Sequence, residues 1–185
     1  MAKATPFAET ARLLLLRPTP EIRDTLFRWL KDPELTRYVG GVRDDDKIVR
    51  TVEFVLQSWE TVGFGKCILI DKLSAQVVGM AGVTPLEFEK TRVNDLGYLV
   101  DAPYAGKGYA TEACLEVLKQ AFERHKLERV TAWPDARNAA SIRIAQKLGL
   151  QFVRELNLTY LGMKFEGQHL YEVTRAQWLA KTARD

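Results

Sequence analysis

A glycine-rich turn between a strand and a helix is the segment that most restricts how this chain can fold. Residues 105–113, AGKGYATEA, follow an extended run at residues 96–100, LGYLV, and open the most regular helical pattern of the sequence. Small residues leave the N–H groups of the first helical turn unshielded, and those groups have no partners within the helix. Together with the positive end of the helix dipole they favour a bound phosphate or pyrophosphate. The turn therefore predicts either a phosphate-bearing cofactor or, without a ligand, a plain change of chain direction.

The turn does not complete either of two common nucleotide-binding motifs. In a dinucleotide fingerprint the third glycine position would fall on Thr111, and no acidic residue closes a second strand at the distance of a ribose contact. A Walker A loop needs a glycine five residues before Gly106 and a serine or threonine after Lys107, where this chain has Gly108. The turn thus argues against a nucleotide hydrolase or a nicotinamide enzyme.

The composition is that of a globular protein without a nucleic-acid-binding or membrane-spanning surface. Of the 185 residues, 46% are apolar and 28% charged, with a formal net charge of +3, which suits an anionic ligand but provides no basic stripe. Cys67 and Cys114 fit small core residues, because their spacing suits neither a metal site nor a disulfide scaffold. With no signal-like N-terminus and no spanning apolar run, we expect one cytoplasmic domain, residues 1–185.

Apolar spacing divides the chain into strands and helices that alternate. Helical periods are predicted around residues 22–30, 48–59, 110–122 and 142–148. Extended runs are predicted at residues 12–17, 67–70, 76–83, 95–100 and 129–133. The connection at residues 71–75 predicts an antiparallel hairpin, and a longer polar connection precedes Asp95. Asn138 is the expected N-cap of the last of these helices and Gly149 its expected end. Residues 152–174 are expected to form two strands that turn near residues 164–167, completing an α/β domain with a mixed sheet.

Several motifs in a fixed order resemble those of the GNAT superfamily of acyl-CoA-dependent N-acetyltransferases. Besides the glycine turn they are, in chain order, GYLV at residues 97–100, NAASI at 138–142 and KLGL at 147–150. The closer resemblance is to the branch of ribosomal-protein N-terminal alanine acetyltransferases, and it extends to residues 9–17, 29–34 and 170–178. The resemblance implies an α/β fold of the α+β type, with a central mixed, mostly antiparallel twisted sheet flanked by helices.

The resemblance also implies where acetyl-CoA binds as the co-substrate. The family pattern Q/R-x-x-G-x-G/A places Ala105 at the usual polar position, so the main-chain N–H groups would hold the pyrophosphate. The strand through Leu99 and Val100 would pair with the pantetheine amides as an edge strand does, and one of its N–H groups would stabilise the acetyl carbonyl oxygen. The expected cofactor-binding residues are Leu99, Val100, Ala105, Gly106, Lys107, Gly108, Tyr109, Ala110, Thr111, Asn138, Ser141, Arg143 and Lys147. The three cations among them are alternatively ordinary surface residues.

Acetyl transfer to an amine needs a base for the amine and a hydrogen-bond donor for the leaving thiolate. Many members of the superfamily use a tyrosine four residues before the helix-ending glycine, a position that Ala145 holds here. Ser141 in the N-x-x-S motif is the expected replacement, the alternative being a serine with only a capping role. Asp95 is the expected base and Asp135 its rival, and each is alternatively a solvated carboxylate. Tyr98 is expected either to shape the acceptor site or only to pack.

The sequence leaves the acceptor open. A protein N-terminus and a small-molecule amine both fit the resemblance, and the loop at residues 40–41 resembles the acceptor-binding loop of the family without identifying its ligand. The missing tyrosine keeps a non-catalytic acyl-CoA-binding regulatory module as the alternative function. We expect a monomer or a homodimer and no metal, nucleic-acid or membrane partner.

Overall fold

The computed structural model describes residues 6–160 and 162–183. The strands are β1 (Ala8–Glu9), β2 (Leu13–Leu16), β3 (Lys66–Asp71), β4 (Val77–Phe88), β5 (Thr91–Val100), β6 (Arg129–Ala132), β7 (Gln151–Tyr160) and β8 (Met163–Thr174). The helices are α1 (Arg23–Lys31), α2 (Pro33–Thr36), α3 (Asp45–Val62), α4 (Tyr109–Lys119), α5 (Ala139–Leu148) and α6 (Arg175–Thr182). No helix of the described residues is long and apolar enough to cross a membrane. Residues 1–5, part of the segment expected to lack a signal peptide, lie outside them.

These strands form one sheet in the order β1-β2-β3-β4-β5-β6-β8-β7. Neighbours are antiparallel except β5 and β6, which run parallel, so the predicted mixed and mostly antiparallel sheet is confirmed. β5 and β6 share a single paired position, Asp95 with Thr131. Beyond it β5 follows β4 to Val100, whereas β6 ends at Ala132. The two strands therefore part in the middle of the sheet, and residues 97–100 have no strand partner on the β6 side within the described chain.

Helices cover both faces of the sheet. α1 and α3 pack on one face, where Trp29 is buried near Ile68 of β3. α4, α5 and α6 pack on the other face, where Cys114 and Trp178 are buried together with Cys67 of β3. Adjacent residues of β3 thus enter different cores, which explains why the central strands are continuous apolar runs. Both cysteines are buried and unpaired, and burial raises the pKa of each thiol, as suits the predicted core role.

Local chemistry fixes both ends of α5, as the sequence predicts. Asn138 Oδ1 accepts a hydrogen bond from the Ser141 N–H at 3.1 Å. Gly149 ends the helix with a φ of 90°, a left-handed conformation that glycine adopts without strain. Ser141 is thereby held in the first turn of α5, close to the place where the sheet parts.

The β4–β5 hairpin is longer than the sequence predicts. Residues 84–94, predicted as a polar connection, continue the antiparallel ladder as far as the pair Phe88–Thr91. Glu89 and Lys90 form the turn with φ values of 49° and 62°, the positive values typical of a two-residue hairpin. The polar residues that indicated a loop lie instead on the outer part of a long hairpin.

The β7–β8 turn was predicted in the wrong place. Tyr160 pairs with Met163, so the chain turns between them rather than near residues 164–167. Gly167, which favoured the other position, lies where the pairing of the two strands shifts, and its N–H donates to Asn157 Oδ1 at 2.7 Å. A bulge residue and a turn residue give the same signal in a sequence.

The C-terminal helix α6 was not predicted, although its start carries a recognisable pattern. Thr174 Oγ1 accepts a hydrogen bond from the Gln177 N–H at 3.3 Å, and Gln177 Oε1 accepts one from the Thr174 N–H at 2.8 Å. This reciprocal capping box corresponds to the T-x-x-Q spacing. Trp178, in the turn that follows, anchors the helix in the core.

Candidate active site

The parting of β5 and β6 opens a cavity of about 230 Å³ that reaches both faces of the sheet. Phe54 lines it on the α3 side, and Ser141 and Ala145 line it on the α5 side. The β7–β8 hairpin adds Leu158 and Tyr160 to the wall. The cavity therefore connects the two faces beside the part of β5 that lacks a strand partner.

The main chain of β5 directs two N–H groups into this gap. The Asp101 N–H donates to the Val78 carbonyl oxygen at 2.9 Å, across the β4 side. N–H groups alternate sides along an antiparallel strand, so the Leu99 N–H also points to β4. By the same alternation the N–H groups of Tyr98 and Val100 point away from β4, into the gap.

Lys66 reaches the gap along a row of glycines. Lys66 pairs with Gly82 across β3 and β4, and Gly82 pairs with Gly97 across β4 and β5. A Cβ at Gly82 would lie 2.4 Å from Lys66 Cα. One at Gly97 would lie 2.8 Å from Lys66 Nζ and 3.8 Å from Asp95 Oδ2. The absence of these two side chains therefore allows the Lys66 amine to lie near Asp95.

Asp95 lines the cavity with a carboxyl group that is withdrawn from solvent. Its Oδ1 atom is buried and has no hydrogen-bond partner among the described residues. Burial raises the pKa of the Asp95 carboxyl to about 6, and the Lys66 charge opposes that rise. Burial lowers the pKa of Lys66 in turn. Asp95 is therefore a carboxylate able to take up a proton close to neutral pH.

Ser141 enters the cavity from the first turn of α5. Its Oγ accepts a hydrogen bond from the Tyr98 hydroxyl at 2.9 Å, and burial raises the pKa of Tyr98, so the phenol keeps its proton. A serine that accepts this hydrogen bond can still donate its own proton to a group in the cavity. Ala145, one turn further along α5, is buried and fills little of the space beside them.

Asp135, the rival base, also lines the cavity but is already paired. Its Oδ1 accepts from Arg137 Nε at 2.9 Å and from the Arg137 N–H at 2.8 Å, and its Oδ2 accepts from Arg137 Nη2 at 2.7 Å. These hydrogen bonds hold the pKa of Asp135 below its usual range although burial opposes them. Asp135 is thus a weaker base than Asp95 and has fewer free lone pairs.

The glycine turn has the backbone geometry expected of an anion cradle. Gly106 and Gly108 have φ values of 74° and 80°, a region that other residues enter at a cost. Gly108 is the N-cap of α4 and gives no side-chain cap, and the Glu112 N–H is the first to bond within the helix, to the Gly108 carbonyl at 3.1 Å. The N–H groups of residues 109–111 therefore have no partner within the helix.

An arginine between β1 and β2, which is not among the expected site residues, holds this turn. Arg12 Nη1 donates to the Lys107 carbonyl at 2.9 Å, and Arg12 Nε donates to Glu112 Oε2 at 2.6 Å. The guanidinium also lies 4.6 Å from the centre of the Tyr109 ring. Arg12 and Glu112 are 100 positions apart in the chain, so no local pattern indicates their contact.

The other expected cofactor residues lie along the turn and α5. The Tyr109 side chain is buried and its hydroxyl donates to Asp71 Oδ1 at 2.8 Å, so the side chain fastens the turn to the sheet. Leu99 and Val100 pack into the two opposite cores. The remaining ones are exposed or half-buried: Ala105, Lys107, Ala110, Thr111, Asn138, Arg143 and Lys147. Of the expected catalytic and cofactor-binding residues, Asp95, Asn138 and Ser141 line the cavity, and so do Tyr98 and the rival base Asp135.

Four further cavity residues were missed: Arg43, Lys66, Trp133 and Tyr160. They come from a loop, two strands that are distant in the chain and the residue after β6. None belongs to a local motif, and only the strand register brings them together. Among the described residues, no three histidine, cysteine or acidic side chains are grouped as metal ligands would be.

A mixed sheet that parts between two parallel strands, next to a glycine turn at a helix N-terminus, agrees with the fold of the acyl-CoA-dependent acetyltransferases that the sequence resembles. The model of the acetyltransferase (GNAT) domain family matches residues 12–151, and the chain belongs to this family. It is accordingly an acetyltransferase, of a family that uses acetyl-CoA as its co-substrate. The expected superfamily and fold are both confirmed.

Individual proteins agree with this assignment. The chain is 29% identical over 190 residues to an FsC-acetyl coenzyme A-N(2)-transacetylase of Aspergillus fumigatus, covering 96% of this chain and 80% of that one. The structure resembles an acetyltransferase from Agrobacterium tumefaciens with a TM-score of 0.79 at 20% identity, over 94% of this chain and 96% of the other. It resembles a ribosomal-protein-S5-alanine acetyltransferase from Vibrio fischeri with a TM-score of 0.71 at 17% identity, over 92% and 97%. These structural likenesses show a shared fold. One of the two structures is by name a ribosomal-protein alanine acetyltransferase, the branch that the sequence resembles.

Proposed function

We propose that this chain transfers the acetyl group of acetyl-CoA directly to a primary amine in the cavity between β5 and β6. The observation that carries the proposal is that Asp95 and Ser141 reach one cavity from opposite faces of the sheet. The reaction needs a proton removed from the amine and a hydrogen bond given to the departing sulfur, and these groups suit the two tasks. Cys67 and Cys114 are both in the core and have raised thiol pKa values, which supports direct transfer over an acetylated cysteine.

The residues of the turn and of β5 fit the coenzyme. The N–H groups of residues 109–111 and the positive end of α4 suit its pyrophosphate. The outward N–H group of Val100, next to the turn, suits an amide of its pantetheine arm, as in the addition of a strand to a sheet edge. Acetyl-CoA, when bound, supplies an acetyl group activated as a thioester. Arg12 keeps the turn in place through Lys107 and Glu112.

On the α3 side, Asp95 takes the proton of the attacking amine. An amine with an ordinary pKa is mostly protonated at neutral pH, so its attack depends on a base. With a pKa of about 6, the Asp95 carboxyl is ionised at pH 7 and still basic enough to accept a proton. The Lys66 charge keeps that pKa from rising further. Asp95 then returns the proton to solvent.

On the α5 side, Ser141 donates a hydrogen bond to the sulfur while the carbon–sulfur bond breaks and the amide bond forms. Tyr98 donates to Ser141 Oγ and thereby orients the serine hydroxyl. The Tyr98 N–H, the outward group farther from the turn, donates to the acetyl carbonyl oxygen as negative charge develops on it. The nitrogen loses a second proton as the amide forms, and the departing sulfur takes up one proton, so the products are the N-acetylated amine and the free thiol of coenzyme A.

Two measurements test the proposal. Acetyl-CoA at about 100 times its Kd should stabilise the fold by about 2.7 kcal/mol, seen as a rise in melting temperature. The full chain should also release coenzyme A thiol when a primary amine is added. Stabilisation without thiol release from any amine of a broad panel would refute the proposal and favour the binding module.

The acceptor is the part of this function that the family does not define. By their names, two of the three proteins described above act on FsC and on an alanine of ribosomal protein S5. The names of proteins similar to this chain therefore do not point to a single acceptor. The walls of the cavity itself bear on the choice.

A further inference from the structure

Four side chains that line the cavity each have a buried polar atom without a hydrogen-bond partner among the described residues. These atoms are Arg43 Nε, Asp95 Oδ1, Trp133 Nε1 and the Tyr160 hydroxyl. Buried polar groups in proteins are nearly always hydrogen-bonded, so four around one cavity point to a ligand with complementary groups. Three of them can donate a hydrogen bond, and the carboxylate oxygen can accept one. The complementary ligand has one strong donor and more than one acceptor.

The Arg43 guanidinium is held in place without any ligand. Its Nη1 donates to Thr51 Oγ1 at 2.9 Å, and its Nη2 donates to the Val39 carbonyl at 3.2 Å. Thr51 is itself fixed by a hydrogen bond to the Lys47 carbonyl at 2.7 Å. The remaining Nε is therefore a preoriented donor with positive charge, which suits an anionic acceptor.

The charges of the cavity wall favour one class of amine. Arg43 and Lys66 are cationic groups, and the Asp95 carboxylate is their counterpart. Arg43 lowers and Asp95 raises the pKa of Lys66, so the three groups act on one another. Asp135 also lines the cavity, but Arg137 already neutralises it. A polyamine would meet an excess of like charge here, whereas a molecule with one ammonium and one carboxylate matches both signs.

Much of the remaining wall is apolar, with Phe54, Leu158, Met163 and Phe165, and the Trp133 indole adds a further aromatic surface. The cavity of about 230 Å³ is smaller than the pockets of about 300–1,000 Å³ that hold drug-sized ligands. It suits a small molecule with an apolar body.

We propose that the acceptor is a free amino acid with an apolar or aromatic side chain. Its carboxylate binds at Arg43, with Trp133 and Tyr160 as further donors, and its amine lies at Asp95. This inference rests on the proposed function, and the bonds broken and formed are the same. A protein N-terminus belongs to a different class of acceptor, because the carbon that bears its amine carries no carboxylate.

The test compares each amino acid with the amine that remains when its carboxylate is removed. Coenzyme A thiol release by the full chain gives kcat/KM for phenylalanine and phenethylamine, tryptophan and tryptamine, and leucine and isoamylamine. Spermidine and a short peptide with a free N-terminus complete the panel. A charge-assisted hydrogen bond should give the amino acid about a tenfold or greater advantage over its amine.

Two arginine variants show whether Arg43 causes that preference. Arg43→Gln should reduce the ratio of amino acid to amine to about one, mainly by raising KM for the amino acid. Arg43→Lys should keep part of the preference. It tests the role of the positive charge even if Arg43→Gln folds poorly. Arg50→Gln, an exposed arginine of α3, is the matched control and should leave both values unchanged.

The possible failures are distinguishable. Amines that equal or exceed their amino acids, or a preference for the peptide or for spermidine, would overturn the inference and leave acetyl transfer intact. An amino acid preference that persists in Arg43→Gln would also overturn it. Stabilisation by acetyl-CoA with no thiol release from any acceptor would instead refute the proposed function.

Discussion

Replacing Asp95 by asparagine should make the protein more stable at neutral and alkaline pH, and it also removes the proposed base from the cavity. Burial raises the pKa of the Asp95 carboxyl to about 6 in the folded protein, against about 3.9 in an unfolded chain. The folded state therefore binds this proton more tightly than the unfolded state does. As pH rises from about 4 to about 6, the Asp95 contribution to the free energy of unfolding falls, because the folded state resists the loss of the proton.

The size of the effect follows from the two pKa values. A difference of about two pKa units corresponds to about 3 kcal/mol, which is the full cost of ionising Asp95 in the folded protein above about pH 7. Asparagine has nearly the same shape and carries no charge, so it avoids that cost. We expect Asp95→Asn to unfold with a free energy up to about 3 kcal/mol higher at pH 8. At pH 4 the difference should be small, because Asp95 is mostly protonated in the folded state.

Urea unfolding followed by tryptophan fluorescence measures this difference at pH 4 and pH 8. Asp101→Asn is the matched control, and its effect on the unfolding free energy at pH 8 should have the opposite sign. Asp101 is also buried, which opposes ionisation, but its ion pair with Arg28 at 2.9 Å contributes to a pKa below the usual range. That stabilisation is present above the unfolded pKa and is lost as pH falls through the folded value. Asp101→Asn should therefore be less stable than the parent at pH 8.

The reasoning about Asp95 would be refuted if the stability of Asp95→Asn relative to the parent protein did not increase between pH 4 and pH 8. An unchanged dependence of the unfolding free energy on urea is needed for the comparison, since a changed slope indicates a different unfolded state. Full acetylation activity in Asp95→Asn would separately contradict the assignment of Asp95 as the base.

Three further predictions concern the two faces of the site and the coenzyme turn. Lys66→Met should raise the pKa of Asp95, so the acidic limb of the pH dependence of kcat/KM should move to higher pH; an unmoved limb would show that Lys66 does not act on the base. Ser141→Ala should lower kcat by about 10²-fold or more with little change in the affinity for acetyl-CoA, measured by thermal shift, and normal turnover would eliminate the serine as a donor. Gly108→Val should abolish the stabilisation by acetyl-CoA, whereas Gly63→Val, at the end of α3 with a similar φ of 73°, should suffer the same backbone strain and keep the response.

The sequence predicts those parts of the fold that depend on local chemistry. The cap at Asn138, the helix end at Gly149 and the glycine turn each need only a few neighbouring residues, and all three are present as predicted. The turn of β7 and β8 was misplaced because Gly167 serves a bulge, and a glycine does not reveal which of the two it forms. α6 was missed although Thr174 and the T-x-x-Q spacing indicate its start.

The cavity is harder to predict because it depends on pairing between distant segments. The row of Lys66, Gly82 and Gly97 exists only once three strands are in register. Asp95 was found from its place before the β5 motif, but its raised pKa follows from burial that no sequence pattern measures. Arg43 lies in an irregular loop, and its role in the cavity wall depends on Thr51 in the following helix.

The contact of Arg12 with the glycine turn makes the N-terminal region part of the proposed coenzyme site. Arg12 Nη1 donates to the Lys107 carbonyl, and Thr10 Oγ1 donates to Glu112. A truncation that removes these residues would leave Glu112 without both partners. Loss of acetyl-CoA binding after such an alteration would then have its cause at the far end of the chain, more than 90 residues before the turn itself.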